Sequence, residues 1–266
     1  MKVSFVGGGA MGEAMVRGII GRAVAAPSDI TVCDIDAQRR IAVSQAHGTA
    51  ATAHCGTAVH NADVLVIAVK PQNLAQLMTD LSGTLEPGQL VLSIVAGASL
   101  ATLRVGLGHE ATVRAMPNTP AQLGEGFTLW TASPDVSEGQ LAMARAILGA
   151  LGREVYTTNE RYLDMATAVS GSGPAYVFLV IEALIDAAVL IGLPRDIAEG
   201  MVLQTVLGSA RLAQESGQHP AQLRDMVTSP GGTTAEGILQ LEEGGLRALM
   251  AHAVIAAYEK AKALGG

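Results

Sequence analysis

The sequence predicts an α/β protein, with a doubly wound sheet over residues 1–157 and an all-helical domain over residues 158–266. Three observations carry that prediction. Up to about residue 155, short apolar runs alternate with amphipathic stretches, as in strands joined by crossover helices. Two of the runs, 64–69 and 90–95, are apolar almost throughout, as expected of parallel strands covered on both faces. Beyond about residue 160 the strand signals stop and long helical stretches take over.

The first strand, 2–6, runs straight into Gly7-Gly8-Gly9-Ala10-Met11-Gly12, a G-x-G-x-x-G turn at the first βα junction. Gly7 permits the tight turn, Gly9 admits a pyrophosphate against the backbone, and Gly12 lets the next helix pack closely. That helix begins near Ala10 and points its positive N-terminal end at the phosphates. The second strand, 30–34, ends in Asp34, about 20 residues beyond the last glycine, where a ribose-binding acid belongs. Together these features predict a dinucleotide site on a Rossmann-type sheet.

Further strands are expected at 63–69, 90–95, 112–116, 127–131 and 153–157. Helices follow at 160–169, 173–192, 195–216, 219–228, 233–243 and 245–264. Their breaks are marked by Gly192-Leu193-Pro194, by Gly217 to Pro220 and by Pro230-Gly231-Gly232. The helical half is unusually apolar, so it is expected to bury surface against another subunit; a compact single-chain bundle is the alternative.

Composition narrows the function classes. Hydrophobic residues make up 49% and charged residues 15%, a well-cored globular balance. A net charge of −7 and 3% aromatics argue against a nucleic-acid partner. Cys33 and Cys55 make neither a disulfide framework nor a metal site, so both are expected as free thiols in a reducing compartment. The N-terminus reads as a strand and not a secretory signal. Glu182 and Asp186 share one face of the most membrane-like stretch, Ala175–Leu193, so no membrane partner is expected. The reading is cytoplasmic.

Ligands of a doubly wound sheet bind beyond the carboxyl ends of the strands. Three segments are expected at that edge: Ala68-Val69-Lys70-Pro71, Ile94-Val95-Ala96-Gly97, and Ala115-Met116-Pro117-Asn118-Thr119-Pro120, whose prolines stiffen the loop around Asn118. In the helical half, Ser229-Pro230-Gly231-Gly232-Thr233-Thr234 leads into a helix, and Thr233 with Glu236 spells a T-x-x-E capping box. A small-residue loop at a helix N-terminus suits an anion such as a carboxylate, with capping alone as the plainer reading. The four lysines, Lys2, Lys70, Lys260 and Lys262, leave the helical motifs without one, and the histidines sit away from them except His219. Carbonyl redox chemistry wants a positioned acid or base, whereas a protonated imine already accepts hydride. The pattern points to C=N reduction, unless folding brings Lys70 into the site.

Four stretches together resemble the pyrroline-5-carboxylate reductase family: Val6 to Gly12, Ala68 to Pro71, Met116 to Pro120, and Ser170 to Tyr176 with Asp225 to Thr234. The resemblance implies reduction of 1-pyrroline-5-carboxylate, a cyclic imino acid, to L-proline by NADPH or NADH, the last step of proline biosynthesis. It implies a helical domain interlocked with a second subunit, so that a dimer completes the site, with rings of dimers also occurring. Val6, Gly7, Gly8, Gly9, Ala10 and Met11 would bind the pyrophosphate. Ala68, Val69, Lys70 and Pro71 would line the nicotinamide side with Ile94, Val95 and Ala96. Asn118 belongs with the substrate loops. Ser229, Gly231, Gly232 and Thr233 would hold the substrate carboxylate, and Thr234 would face the ring nitrogen.

Cys55 stands where many members of the family have an asparagine contacting the adenine-side ribose. Asp34 favours a free 2′-hydroxyl, hence NADH, while Arg39 and Arg40 offer a phosphate partner or an exposed helix face. Two other readings share parts of this pattern: a β-hydroxyacid dehydrogenase, which wants a lysine on the first helices of the helical domain, and a dinucleotide-binding protein without turnover.

Overall fold

The computed structural model describes residues 1–60 and 62–264. Among these, eight strands form one sheet in the order β3-β2-β1-β4-β5-β6-β7-β8. They are β1 Val3–Val6, β2 Ile30–Cys33, β3 Ala50–Thr52, β4 Val64–Ile67, β5 Leu90–Ser93, β6 Thr112–Met116, β7 Gly126–Ala132 and β8 Gly152–Tyr156. Pairing is parallel from β3 through β6, antiparallel between β6 and β7, and parallel again between β7 and β8. β1 pairs with β2 on one side and β4 on the other. The winding therefore reverses between β1 and β4, which opens a crevice beyond their carboxyl ends.

Helices α1 Ala10–Gly21, α2 Ala37–His47, α3 Cys55–Val59, α4 Leu74–Leu81, α5 Leu100–Leu107 and α6 Glu138–Gly149 connect the strands. Alternate strand residues feed two separate cores. Phe5 and Val66 join one with Met15, Ile19 and Trp130, while Val6 and Ile67 join the other with Leu77, Leu81 and Leu103. Both faces of β1 and β4 are thus dry, which is why their sequences are apolar without alternation. Each such side chain contributes about 1.5–3 kcal/mol by leaving water.

β3 has no counterpart among the expected strands. Its Ala-Ala-Thr sequence is short and largely exposed, and only its ladder with β2 makes it a strand. A second difference concerns the cysteines. Cys33 and Cys55 are joined in a disulfide, with Cα atoms 5.4 Å apart, so the expectation of free thiols is corrected. Counting cysteines speaks to frameworks; here α3 packs on β1 and β2 and carries Cys55 back to the end of β2.

The remaining helices are α7 Arg161–Ala166, α8 Gly173–Leu190, α9 Arg195–Ser216, α10 Pro220–Met226, α11 Thr233–Glu243 and α12 Leu246–Leu264, with a π-helical turn at Thr167–Gly171 after α7. The chain forms two compact units: Met1–Ser172 with the end of α12 from Ala257, and Gly173–Ala256. In the second unit α8 packs on α9. Pro194 caps α9 and Gly217, with φ 63°, ends it, as their positions in the sequence suggest. No residue of α8 is buried within the chain; Phe178 is 62% and Leu179 65% exposed. The helical stretch Arg161–Leu190, mean hydropathy 1.8, is by length and composition apolar enough to cross a membrane. Asp186 within it pairs with Arg195 at 2.9 Å.

Candidate active site

The carboxyl ends of β1, β2, β4 and β5 are tied together by backbone hydrogen bonds. Gly7 N donates to Cys33 O at 2.8 Å, Ala68 N to Val6 O at 2.8 Å, and Ile94 N to Ile67 O at 3.0 Å. The three fingerprint glycines serve different ends. Gly7 has φ +106°, and a Cβ there would come within 2.5 Å of Ala68 O. A Cβ on Gly12 would collide with Gly7 O, so no side chain fits where α1 meets the turn. Both are demanded by the protein itself. A Cβ on Gly9 would meet nothing within 4 Å. Gly9 is the N-cap of α1 and no side chain caps that helix. The space a side chain would fill there, beside uncapped N–H groups, fits a pyrophosphate.

Around this turn, Val6 and Gly8 are buried, whereas Ala10 is exposed and Met11 half-buried. Lys70 is exposed after β4, and Pro71 opens a 3-10 turn over Pro71–Asn73. Val95 is buried in the second core, on which Val69 also packs, while Ile94 and Ala96 are half-buried and Ile94 packs on the first core.

Asp34 is held from two sides. Its Oδ2 accepts Gly8 N–H at 2.7 Å and its Oδ1 accepts Asp36 N–H at 2.9 Å. Arg39 Nε donates to Gly8 O at 2.9 Å, and its Nη2 pairs with Glu13 Oε2 at 2.7 Å. That guanidinium holds the Glu13 carboxyl below the usual carboxylate range, with His47 adding to the effect and burial opposing it. Arg40 Nη1 donates to Asp34 O at 2.8 Å and Ile35 O at 3.0 Å. Cys55 stands at the start of α3, half-buried, with its sulfur committed to Cys33.

Asn118 follows β6 and is occupied internally. Its Oδ1 accepts Phe127 N–H at 2.9 Å and its Nδ2 donates to Ser170 Oγ at 3.1 Å. The amide thus staples the stiff proline loop to β7 and to the π-helical turn, a feature frequent at functional sites. Sequence reasoning missed a second tie. Arg114 on β6, its side chain 6% exposed, pairs with Glu160 at 3.0 Å and Asp164 at 2.6 Å. Glu160 also accepts Leu100 N–H at 2.7 Å, fixing the start of α5. The available signal was a lone arginine inside an otherwise apolar strand.

In the second unit, Ser229 to Gly232 form a turn in which Gly232 N donates to Ser229 O at 3.0 Å and Gly231 has φ +65°. The capping box is corrected. α11 begins at Thr233 itself, Gly232 is the N-cap, and no side chain caps the helix. The backbone satisfies Glu236, whose N–H donates to Gly232 O at 3.3 Å, so Glu236 and Thr233 have no capping role. Among the described residues, the hydroxyls of Ser229, Thr233 and Thr234 take part in no hydrogen bond within the chain, which leaves the N-terminus of α11 with open donors.

A family model described as "Pyrroline-5-carboxylate reductase dimerisation" matches residues 160–264, and one described as "NADP oxidoreductase coenzyme F420-dependent" matches residues 2–97. A pyrroline-5-carboxylate reductase of Synechocystis is 44% identical over 265 residues, covering 100% of this chain and 98% of that one. The chain belongs to the pyrroline-5-carboxylate reductase family. The solved family structure from Coxiella burnetii superposes with a TM-score of 0.90 at 38% identity, covering 100% of this chain and 98% of its own. The Plasmodium falciparum pyrroline carboxylate reductase with NADP bound gives 0.92 at 32% identity, covering 100% and 98%. Membership makes the chain an oxidoreductase with an N-terminal nucleotide-binding sheet and a C-terminal helical dimerisation domain, and sets aside the β-hydroxyacid dehydrogenase reading.

Proposed function

We propose that this chain reduces 1-pyrroline-5-carboxylate to L-proline with NAD(P)H, the last step of proline biosynthesis, and that the residues described above are its working parts. The observation carrying the substrate assignment is the uncapped N-terminus of α11, where the Ser229 and Thr233 hydroxyls and the N–H groups of Gly231 and Thr233 are offered to a carboxylate and Gly232, bonded to Ser229 O, shapes the turn. The bound nicotinamide coenzyme supplies the hydride. Val6, Gly7, Gly8, Gly9, Ala10, Met11 and Gly12 seat its pyrophosphate, while Ala68 to Pro71 and Ile94 to Ala96 wall the nicotinamide end. The imine carbon takes the hydride and the ring nitrogen keeps or gains a proton, with the Thr234 hydroxyl as its hydrogen-bond partner. No strong acid or base is required of the protein, since orientation and a held carboxylate suffice. Asn118 acts by positioning the loop beside β7, because its amide is already spent on Phe127 and Ser170.

Residues 158–266 form the substrate-binding and dimerisation domain in this reading. The exposed apolar face of α8 is covered by a second copy, and dimers or rings of dimers carry out turnover in the cytoplasm, away from any membrane. Glu182 and Asp186 within α8 fit a subunit contact better than lipid.

Loss of reduced-nicotinamide absorbance with pyrroline-5-carboxylate tests the reaction directly. Replacing Thr234 by Ala should lower turnover by about 10- to 1000-fold with melting temperature unchanged. Parent-like kinetics in that variant would remove the hydroxyl from the reaction. Coenzyme binding without oxidation by the folded parent would leave a non-catalytic dinucleotide binder.

A further inference from the structure

We infer that the adenosine-ribose pocket selects NADH over NADPH, with Asp34 as the residue that decides; the inference rests on the coenzyme-site reading above. At the end of β2, Asp34 is half-buried and cannot swing away without losing its bonds to Gly8 N–H and Asp36 N–H, at 2.7 and 2.9 Å. Because Gly8 belongs to the phosphate turn, the same carboxylate locks the turn and marks the ribose side of it. A fixed carboxylate accepts hydrogen bonds from a free 2′-hydroxyl and repels a 2′-phosphate.

The counter-argument from sequence was the Arg39-Arg40 pair, and the structure disposes of it. Arg39, its side chain 36% exposed, is engaged by Gly8 O at 2.9 Å and paired with Glu13 at 2.7 Å. Arg40 spends Nη1 on two carbonyls, Asp34 O and Ile35 O, and so braces the backbone that carries the acid. A third carboxylate, Asp36, caps α2 by accepting Gln38 N–H at 2.8 Å, so the turn holds Asp34, Asp36 and Glu13 against two engaged arginines. Cys55, bonded to Cys33, has no S–H to offer the ribose. Asp34 is left as the acid facing the sugar.

The test uses the full-length protein, with NADH and NADPH titrated separately by nicotinamide fluorescence and kcat/KM measured for each with pyrroline-5-carboxylate. The parent should favour NADH by at least ~10-fold, and Asp34→Asn should narrow or invert that ratio by improving NADPH. Arg40→Ala should leave NADPH no worse relative to NADH. Parity or an NADPH preference in the parent overturns the inference even if Asp34→Asn fails to fold. So does an unchanged ratio in a folded Asp34→Asn protein, or selective loss of NADPH in Arg40→Ala. Binding of neither coenzyme by folded parent protein would instead bring down the coenzyme-site reading itself.

Discussion

The two compact units bury themselves in opposite ways. The sheet-bearing unit closes two dry cores on its own, with Phe5, Ile67, Leu92 and Trp130 fully buried. In the helical unit the long apolar helices stay wet: α8 and α11 bury no residue and α9 only Ala198. Apolar pattern predicts burial but not what does the burying. A strand between two helix layers finds its partners in its own chain. A helix such as α8 does not find them in its own chain, and the proposed second copy would supply them.

The sharpest way to break this contrast is to charge the wet face. Leu179→Asp should abolish self-association and turnover together while the sheet-bearing unit still binds coenzyme. Sedimentation showing an unchanged oligomer would mean that α8 is not the contact. Next, Arg114→Ala removes the buried member of the triad, leaving half-buried Asp164 without its partner and Glu160 with only Leu100 N–H, and should cost about 1.5–3 kcal/mol in denaturant unfolding. A loss under 1 kcal/mol would show that the triad is better hydrated than its burial suggests.

Cys33 and Cys55 close a loop with a sequence separation of 22, so Cys55→Ser, or reduction of the parent, should lower stability by about 3 kcal/mol. Identical melting of parent with and without reductant would show that the pair contributes nothing. The smallest expected effect is at Glu13. Its carboxyl is depressed by Arg39, so the stabilisation is present above the carboxylate's unfolded pKa and is lost as pH falls through the lower, folded one. With 32% of the Glu13 side chain exposed, Glu13→Gln should cost under about 0.5 kcal/mol near neutrality and flatten the acid limb of the stability curve. An acid limb that keeps its shape would place the effect on another carboxylate.

Legibility followed the range of the interaction. The turn after β1 is readable because its requirements lie within six consecutive residues, and the structure gives Gly7 and Gly12 the close backbone neighbours that their spacing implies. The loop before α11 is readable for the same reason. α11 runs over 233–243 as expected, but its cap differs: Thr233 and Gly232 both satisfy N-terminal preferences, and only the backbone path chooses Gly232. β3 escaped notice because its three residues have no strand character until β2 lies beside them.

By itself, the sequence determined the strand-and-helix order apart from β3, the phosphate turn, the acid after β2 and the family to which these belong. Each depends on residues close in the chain, where propensity and steric limits act without regard to the rest of the fold. Tertiary structure decided the Cys33–Cys55 bond, the Arg114 triad, the occupation of Asn118 and the engagement of Arg39 and Arg40. Those depend on which distant segments the sheet order sets side by side. A hydrogen bond or a disulfide is sensitive to tenths of an ångström, and sequence spacing carries no such information across tens of residues.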